Sequence, residues 1–132
     1  MAQTKITHDN LAASFSLPNA KLNSDVWNSD RAWTGSQRST MVTDNDGNFD
    51  LNGGQNFKCT PAGNITLTFS NHVSGQSGFV ILVNSGGHTI SLETYTKADA
   101  NLATTVTAAG TYIISYIDDG TCAYLTNSAV MA

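Results

Sequence analysis

Ile65-Thr66-Leu67-Thr68-Phe69-Ser70 alternates apolar and hydroxyl side chains without a break, and Phe79-Val80-Ile81-Leu82-Val83 follows it after the turn Ser74-Gly75-Gln76-Ser77-Gly78. These two stretches decide the fold class. Alternation with a period of two belongs to a strand with one face on a core and one in water. Five apolar residues in a row are too short for a core helix and rich in β-branched types, which reads as a strand covered on both faces. A two-layer sandwich gives each sheet only one inner face, so Phe79, Val80, Ile81, Leu82 and Val83 call for a second covering surface. Either the chain's own N-terminal segment supplies it or another subunit does.

Working outward, every neighbouring segment is short and punctuated. Thr40 to Thr43 and Phe49 to Leu51 flank Asp44-Asn45-Asp46-Gly47-Asn48, whose Asp-Gly step supplies the positive φ of a tight turn, so a hairpin is expected there. Phe57 and Cys59 share one face of a strand that Pro61-Ala62-Gly63-Asn64 ends. Ile90 and Leu92 share a face beyond Ser85-Gly86-Gly87. Tyr95 to Leu102 reads as a loop with at most one helical turn. Thr104 to Thr107, Tyr112 to Ile117 and Cys122 to Leu125 read as closing strands, the last two joined by a second Asp-Gly hairpin at Asp118-Asp119-Gly120-Thr121. Parity places Tyr112, Ile114 and Tyr116 on one face, which suggests core. The expected architecture is all-β: an antiparallel β-sandwich or jelly roll of about eight strands. It occupies 41–132 and follows an extended N-terminal arm over 1–40, in which apolar residues are isolated among Asn, Asp and Ser.

Composition agrees and excludes several function classes. With 17 Thr, 13 Ser, 13 Asn and 11 Gly in 132 residues and a single glutamate, Glu93, helical domains are improbable. The net charge is −4 and the six Lys and Arg are scattered, so no basic stripe exists to neutralise phosphates, and no nucleic acid is expected as partner. No apolar run reaches the roughly 20 residues that span a bilayer, and Met1 to Lys5 lead into a polar segment, so neither a membrane partner nor general secretion is expected. Cys59 and Cys122 stand far from any zinc or redox spacing and are expected as reduced thiols.

The residues resemble a known family. Phe49-x-Leu51, Gly53, Phe57, then Gly63-Asn64-Ile65-Thr66-Leu67-Thr68-Phe69-Ser70-Asn71, Gly75-Gln76-Ser77-Gly78, Gly86-Gly87-x-Thr89-Ile90, Ala109-Gly110 and Ile114-Ser115-Tyr116-x-Asp118-Asp119-Gly120-Thr121-x-Ala123-Tyr124-Leu125 look like a small β domain of tailed-bacteriophage virion surface proteins. Such domains occur on tail fibres, tail spikes and head-surface proteins. The likeness covers about residues 40 to 127. The chain departs from it in carrying no tryptophan beyond Trp33, where similar domains place two. In the arm, Lys5-Ile6-Thr7-His8-Asp9-Asn10-Leu11 and Lys21-Leu22-Asn23-Ser24-Asp25-Val26, sixteen residues apart, look like the short elements that wrap three chains together in phage fibres.

Little in the chain points to catalysis, which needs a nucleophile with a base, paired carboxylates or a metal cluster. His8, His72 and His88 share no ligand spacing and read as surface residues. Ser77 lacks the glycine two residues on that a nucleophile elbow requires. Asp44-Asn45-Asp46-Gly47-Asn48 begins like a calcium loop, but Gln55 stands where the bidentate Glu belongs, so a turn is expected and no metal or other cofactor. Trp27 and Trp33 are large aromatics on a poorly patterned segment, typical of interface anchors, although they could also pack on their own domain. With Ile6, Leu11, Phe15, Leu17, Leu22 and Val26 they make up the arm's candidate anchoring set. Phe79 to Val83 make up the candidate subunit-packing set.

The resemblance implies a non-enzymatic structural protein of the virion, assembled in the host cytoplasm. A capsid decoration or cement protein on the head ranks first, because 132 residues leave no room for a long shaft. A tail fibre or fibre-adaptor subunit is the alternative, and a module that binds host-surface glycan is another. The expected partners are two further copies, as a homotrimer, and other virion proteins such as the major capsid protein or tail proteins.

Overall fold

The computed structural model describes residue 36 and residues 38–131, and residues 38–131 belong to a compact unit that begins at Arg38. The arm residues Ile6, Leu11, Phe15, Leu17, Leu22, Val26, Trp27 and Trp33 lie outside the described residues.

Among the described residues nine strands and one short helix follow in order: β1 (Met41–Thr43), β2 (Asn48–Asp50), β3 (Asn56–Cys59), β4 (Ile65–Ser70), β5 (Ser77–Asn84), β6 (Ile90–Leu92), β7 (Thr96–Ala98), α1 (Leu102–Thr107), β8 (Gly110–Asp118) and β9 (Ala123–Asn127). Through the first seven, odd strands join one sheet and even strands the other. The six-stranded sheet has the order β1-β3-β5-β8-β9-β7, and the three-stranded sheet the order β2-β4-β6. The chain therefore winds as a flattened coil that passes from sheet to sheet and returns parallel to itself. Met41 lies beside Asn56 and Ile65 beside Ile90, so a coil takes from 15 to 25 residues. The antiparallel hairpin of β8 and β9 then fills the gap between β5 and β7.

The all-β class holds. The antiparallel sandwich or jelly roll does not: β1–β3, β3–β5, β2–β4, β4–β6 and β7–β9 pair in parallel. Period-two alternation records which face is buried and says nothing about a partner's direction. The expected first hairpin is a corner for the same reason, since β1 pairs with β3 and β2 with β4. The Asp44 carboxylate accepts from the N–H groups of Asp46 and Gly47 at 3.1 and 3.2 Å, turning the chain from one sheet to the other. Gly47 has φ of +89°, and a Cβ there would stand 2.8 Å from the Thr66 carbonyl oxygen, so only glycine fits. The second Asp-Gly step does close a hairpin, between β8 and β9.

Two further expectations are corrected. The stretch expected as a loop contains β7, and Thr104 to Thr107, expected as a strand, lies in α1. Leu102 and Val106, four residues apart and both 0% exposed, give α1 one buried stripe. The Thr107 hydroxyl folds back onto the Ala103 carbonyl at 2.8 Å, a helical contact open to threonine despite its strand preference.

The core lies between the sheets. Phe49 of the three-stranded sheet stacks at 5.2 Å on Phe57 of the other and on Phe69 beside it, and Phe69 reaches Tyr116 at 4.9 Å. Leu51, Cys59, Leu67, Val80, Leu82, Ile90, Leu102, Val106, Tyr112, Ile114, Ala123 and Leu125 complete it. Tyr112, Ile114 and Tyr116 are thus core residues, as their parity implies.

Candidate functional site: the outer face of the six-stranded sheet

Strand β5 builds the site. Val80, Leu82 and Asn84 are 0% exposed and point inward, so Phe79, Ile81 and Val83 point away from the core. Of the five residues expected to pack subunits, Val80 and Leu82 therefore belong to the module's own interior, and only the other three can meet a partner.

Register extends the face across the sheet, because residues directly opposite one another share a side. One row runs Met41, Asn56, Phe79, Ser115, Thr126. The next holds Thr43, Lys58, Ile81 and Ile113, and on the other side Ser77, Ile117, Tyr124 and Lys97 align. Val83 and Thr111 form a further row, which Met131 joins through a bridge to Thr111. Large apolar side chains on this face are open to water: Phe79 is 54% exposed, Ile117 56%, Met41 and Tyr124 47%. Ile81, Val83 and Ile113 are half-buried between them. The strand positions on this side carry Lys58 and Lys97 toward the flanks and no carboxylate.

The outer side of the three-stranded sheet is the opposite in character. Asn48 aligns with Thr68, Asp50 with Ser70 and Thr66 with Ser91, without one large apolar group. The Thr66 and Ser91 hydroxyls bond each other at 2.7 Å, and Asp50 accepts from the Asn71 amide at 2.8 Å. That hydrogen bond, with one from the Asn52 N–H, holds the Asp50 carboxyl below the usual carboxylate range. One outer face is satisfied by its own polar contacts, and the other is not.

At one end of the sheets a polar lock fixes the corners. His72 Nδ1 lies 2.6 Å from an oxygen of Asp118, whose side chain is fully buried and also accepts from the Gly120 N–H at 2.8 Å. The Gln76 amide donates to the carbonyls of Leu51 and Gly54, each at 2.9 Å, tying the β4–β5 turn to the β2–β3 turn. Beside this end Tyr95 is 52% exposed with its ring edge-on to His72, and the Tyr124 hydroxyl donates to Asp119 at 3.1 Å. A groove of about 550 Å³ lined by Lys97, Ala98, Asp99, Tyr124 and Leu125 opens nearby.

Sequence reasoning missed Ile113, Ile117 and Tyr124 on the face. The signal was present: Tyr112-Ile113-Ile114 and Ile117 place apolar residues on both parities of β8, as Phe79 to Val83 do on β5. His72 and Asp118, separated by 46 residues, offered no local spacing to read. Among the described residues no group of three or more His, Cys, Asp and Glu could hold a metal ion, and no helix is long and apolar enough to cross a membrane. No family model, curated protein or solved structure matches the chain.

Proposed function

We propose that this chain is a non-enzymatic structural protein of a bacteriophage particle, and specifically a capsid decoration or cement protein whose β module is attached to the head by residues 1–40. The proposal rests on the family resemblance of residues 40 to 127. The observation that carries it further is the broad apolar outer face of the six-stranded sheet, rimmed by Lys58 and Lys97. Such a face suits a module that works by packing against protein. The fibre-like elements of residues 5–11 and 21–26, with the doubly apolar strand Phe79 to Val83, support a trimer on the virion.

Particles lacking the native protein, mixed with tagged variants and recovered, test the attachment. Replacing Trp27 and Trp33 together by alanine is expected to weaken decoration roughly a thousandfold, at about 2 kcal/mol for each aromatic anchor. Wild-type occupancy by that variant would make the arm irrelevant to attachment. A second reading, recognition of host glycan, draws on the exposed pair Tyr95 and Tyr124 beside the groove, since aromatic rings with a nearby carboxylate suit sugar. It requires Tyr124→Ala to abolish retention on a glycan array. The burial of Tyr112 and Tyr116 removes the other two tyrosines from that surface.

A further inference from the structure

We infer that copies of this chain pack on one another through the outer face of the six-stranded sheet, with Phe79, Ile81, Ile113 and Ile117 at the centre of the contact and Lys58 and Lys97 at its flanks. The inference rests on the reading above that this face works by packing against protein, and it names the partner, a second copy.

Area comes first. Strands about 4.8 Å apart, rising about 3.3 Å per residue, give the six strands of this face roughly 500 Å² in plan. Two such faces together bury on the order of 1,000 Å² before the relief of side chains is counted, the size at which a biological interface begins. The edges of the sheet offer far less. Strands β1 and β7 are three residues long, so a ladder added there would gain only a few hydrogen bonds.

Chemistry then selects like against like. The molecule's other broad face is a ladder of Thr, Ser and Asn with Asp50, its polar groups already bonded in part to one another. Stacking the apolar face of one copy on that ladder would bury hydroxyls against isoleucine, at a cost for each polar group left without a partner. Apolar face on apolar face removes both from water, and a face that complements itself generates closed assemblies instead of filaments. With no carboxylate on the face, no ion pair inside it has to be desolvated, and the long lysine stems can carry their charges out to the rim. Ser115 and Thr126, in the same row as Phe79, add small hydroxyls that leave room for neighbouring rings.

The full chain is sedimented between 1 and 100 µM beside the double variant Phe79→Lys with Ile117→Lys and the control Asn48→Lys on the three-stranded sheet. The wild type and the control are expected to show a mass of two chains, the number that closes when one face packs on the same face of its copy. The double variant is expected at one chain, its self-association weakened at least about a hundredfold by two charges placed at the centre. Phe79 and Ile117 point to solvent within one copy, so circular dichroism of the double variant should be unchanged. Carbene footprinting of the wild type gives a measure free of substitution: labelling of Phe79 and Ile117 should rise several-fold on dilution. A one-chain mass for the wild type at 100 µM, or labelling that stays the same where dilution has brought the mass down to one chain, overturns the inference and assigns the face to residues 1–37 or to a different protein. So does a folded double variant that keeps the wild-type mass. Recovery on particles is scored separately: a single-chain variant that still decorates them leaves the virion reading standing, and an assembled wild type that does not decorate them removes that reading alone.

Discussion

Asn84 is 0% exposed, yet both ends of its amide are hydrogen-bonded. Its nitrogen donates to the carbonyls of His88, Val106 and Thr107 at 2.8, 3.0 and 3.3 Å, and its oxygen accepts from the His88 N–H at 2.8 Å. One side chain thereby ties the end of β5 to the following turn and to the last turn of α1. Asn84→Leu fills similar volume but strands those backbone groups, and a loss of about 2 to 4 kcal/mol is expected in urea unfolding. Thr96 is the opposite case: its hydroxyl is buried without a partner, so Thr96→Val is expected to raise stability by about 1 kcal/mol, read as a higher urea midpoint. The two thiols differ as well. Burial, with Asp44 and Asp46 nearby, pushes the Cys59 thiol up to about 11, while Cys122 is only half-buried. Since the thiolate is the reactive form, a maleimide at pH 7 should modify Cys122 in the native chain and Cys59 only after unfolding.

Strand β5 enters the sheet at Gly78, where a Cβ would stand 1.8 Å from the Gln55 carbonyl oxygen, the same oxygen that accepts from the Tyr116 hydroxyl at 2.8 Å. Gly78→Ala must push β3 and β5 apart at that point and is expected to cost more than about 2 kcal/mol in thermal or urea melts, whereas Gly63→Ala, with open space around it, should cost little. The elements themselves show what the chain's residues reveal unaided. β4 was legible because each threonine between Ile65, Leu67 and Phe69 faces water or a neighbouring hydroxyl, so burial prints its period directly. β5 was legible as doubly apolar, and the structure places half of that apolarity inside and half outside. Helix α1 was obscured because Thr104, Thr105 and Val106 favour strands locally, and only the packing of Leu102 and Val106 decides otherwise. The turns did not tell partner direction, because a corner and a hairpin use the same Asp-Gly chemistry and differ only in which strand arrives next to them: the same reading holds between β8 and β9 and fails between β1 and β2. The face was half visible for the same reason: Phe79, Ile81 and Val83 announce themselves on one strand, but their alignment with Ile113, Ile117 and Tyr124 depends on the register of β8 and β9.

The whole module loses stability in acid for a reason spread over its turns. Backbone N–H groups of Cys122 and Thr121 hold Asp119 below the usual carboxylate range, the Asn48 N–H does so for Asp46, and the Asn71 amide for Asp50. Asp44 is shifted the other way, chiefly by burial. A depressed carboxylate contributes stability above its ordinary value near pH 4 and loses it as pH falls through its lower folded value. The melting temperature should be level from pH 7 to about 5 and decline below about 4, a course that differential scanning fluorimetry would follow. The winding of the chain also fixes an order of events during its synthesis. The second edge of β5 is closed by β8, whose Ile117 pairs with Ser77 forty residues later, and β7 has no sheet partner until β9 has been made. As the polypeptide leaves the ribosome, the early coils must wait with raw backbone edges while α1 and the closing hairpin are still untranslated. A transcript broken after α1 would release a half-built sheet, and such an edge is a template for joining another like it. The hairpin of β8 and β9 therefore acts as a clasp, and a chain that stops before it is expected to leave β5 and β7 with open edges.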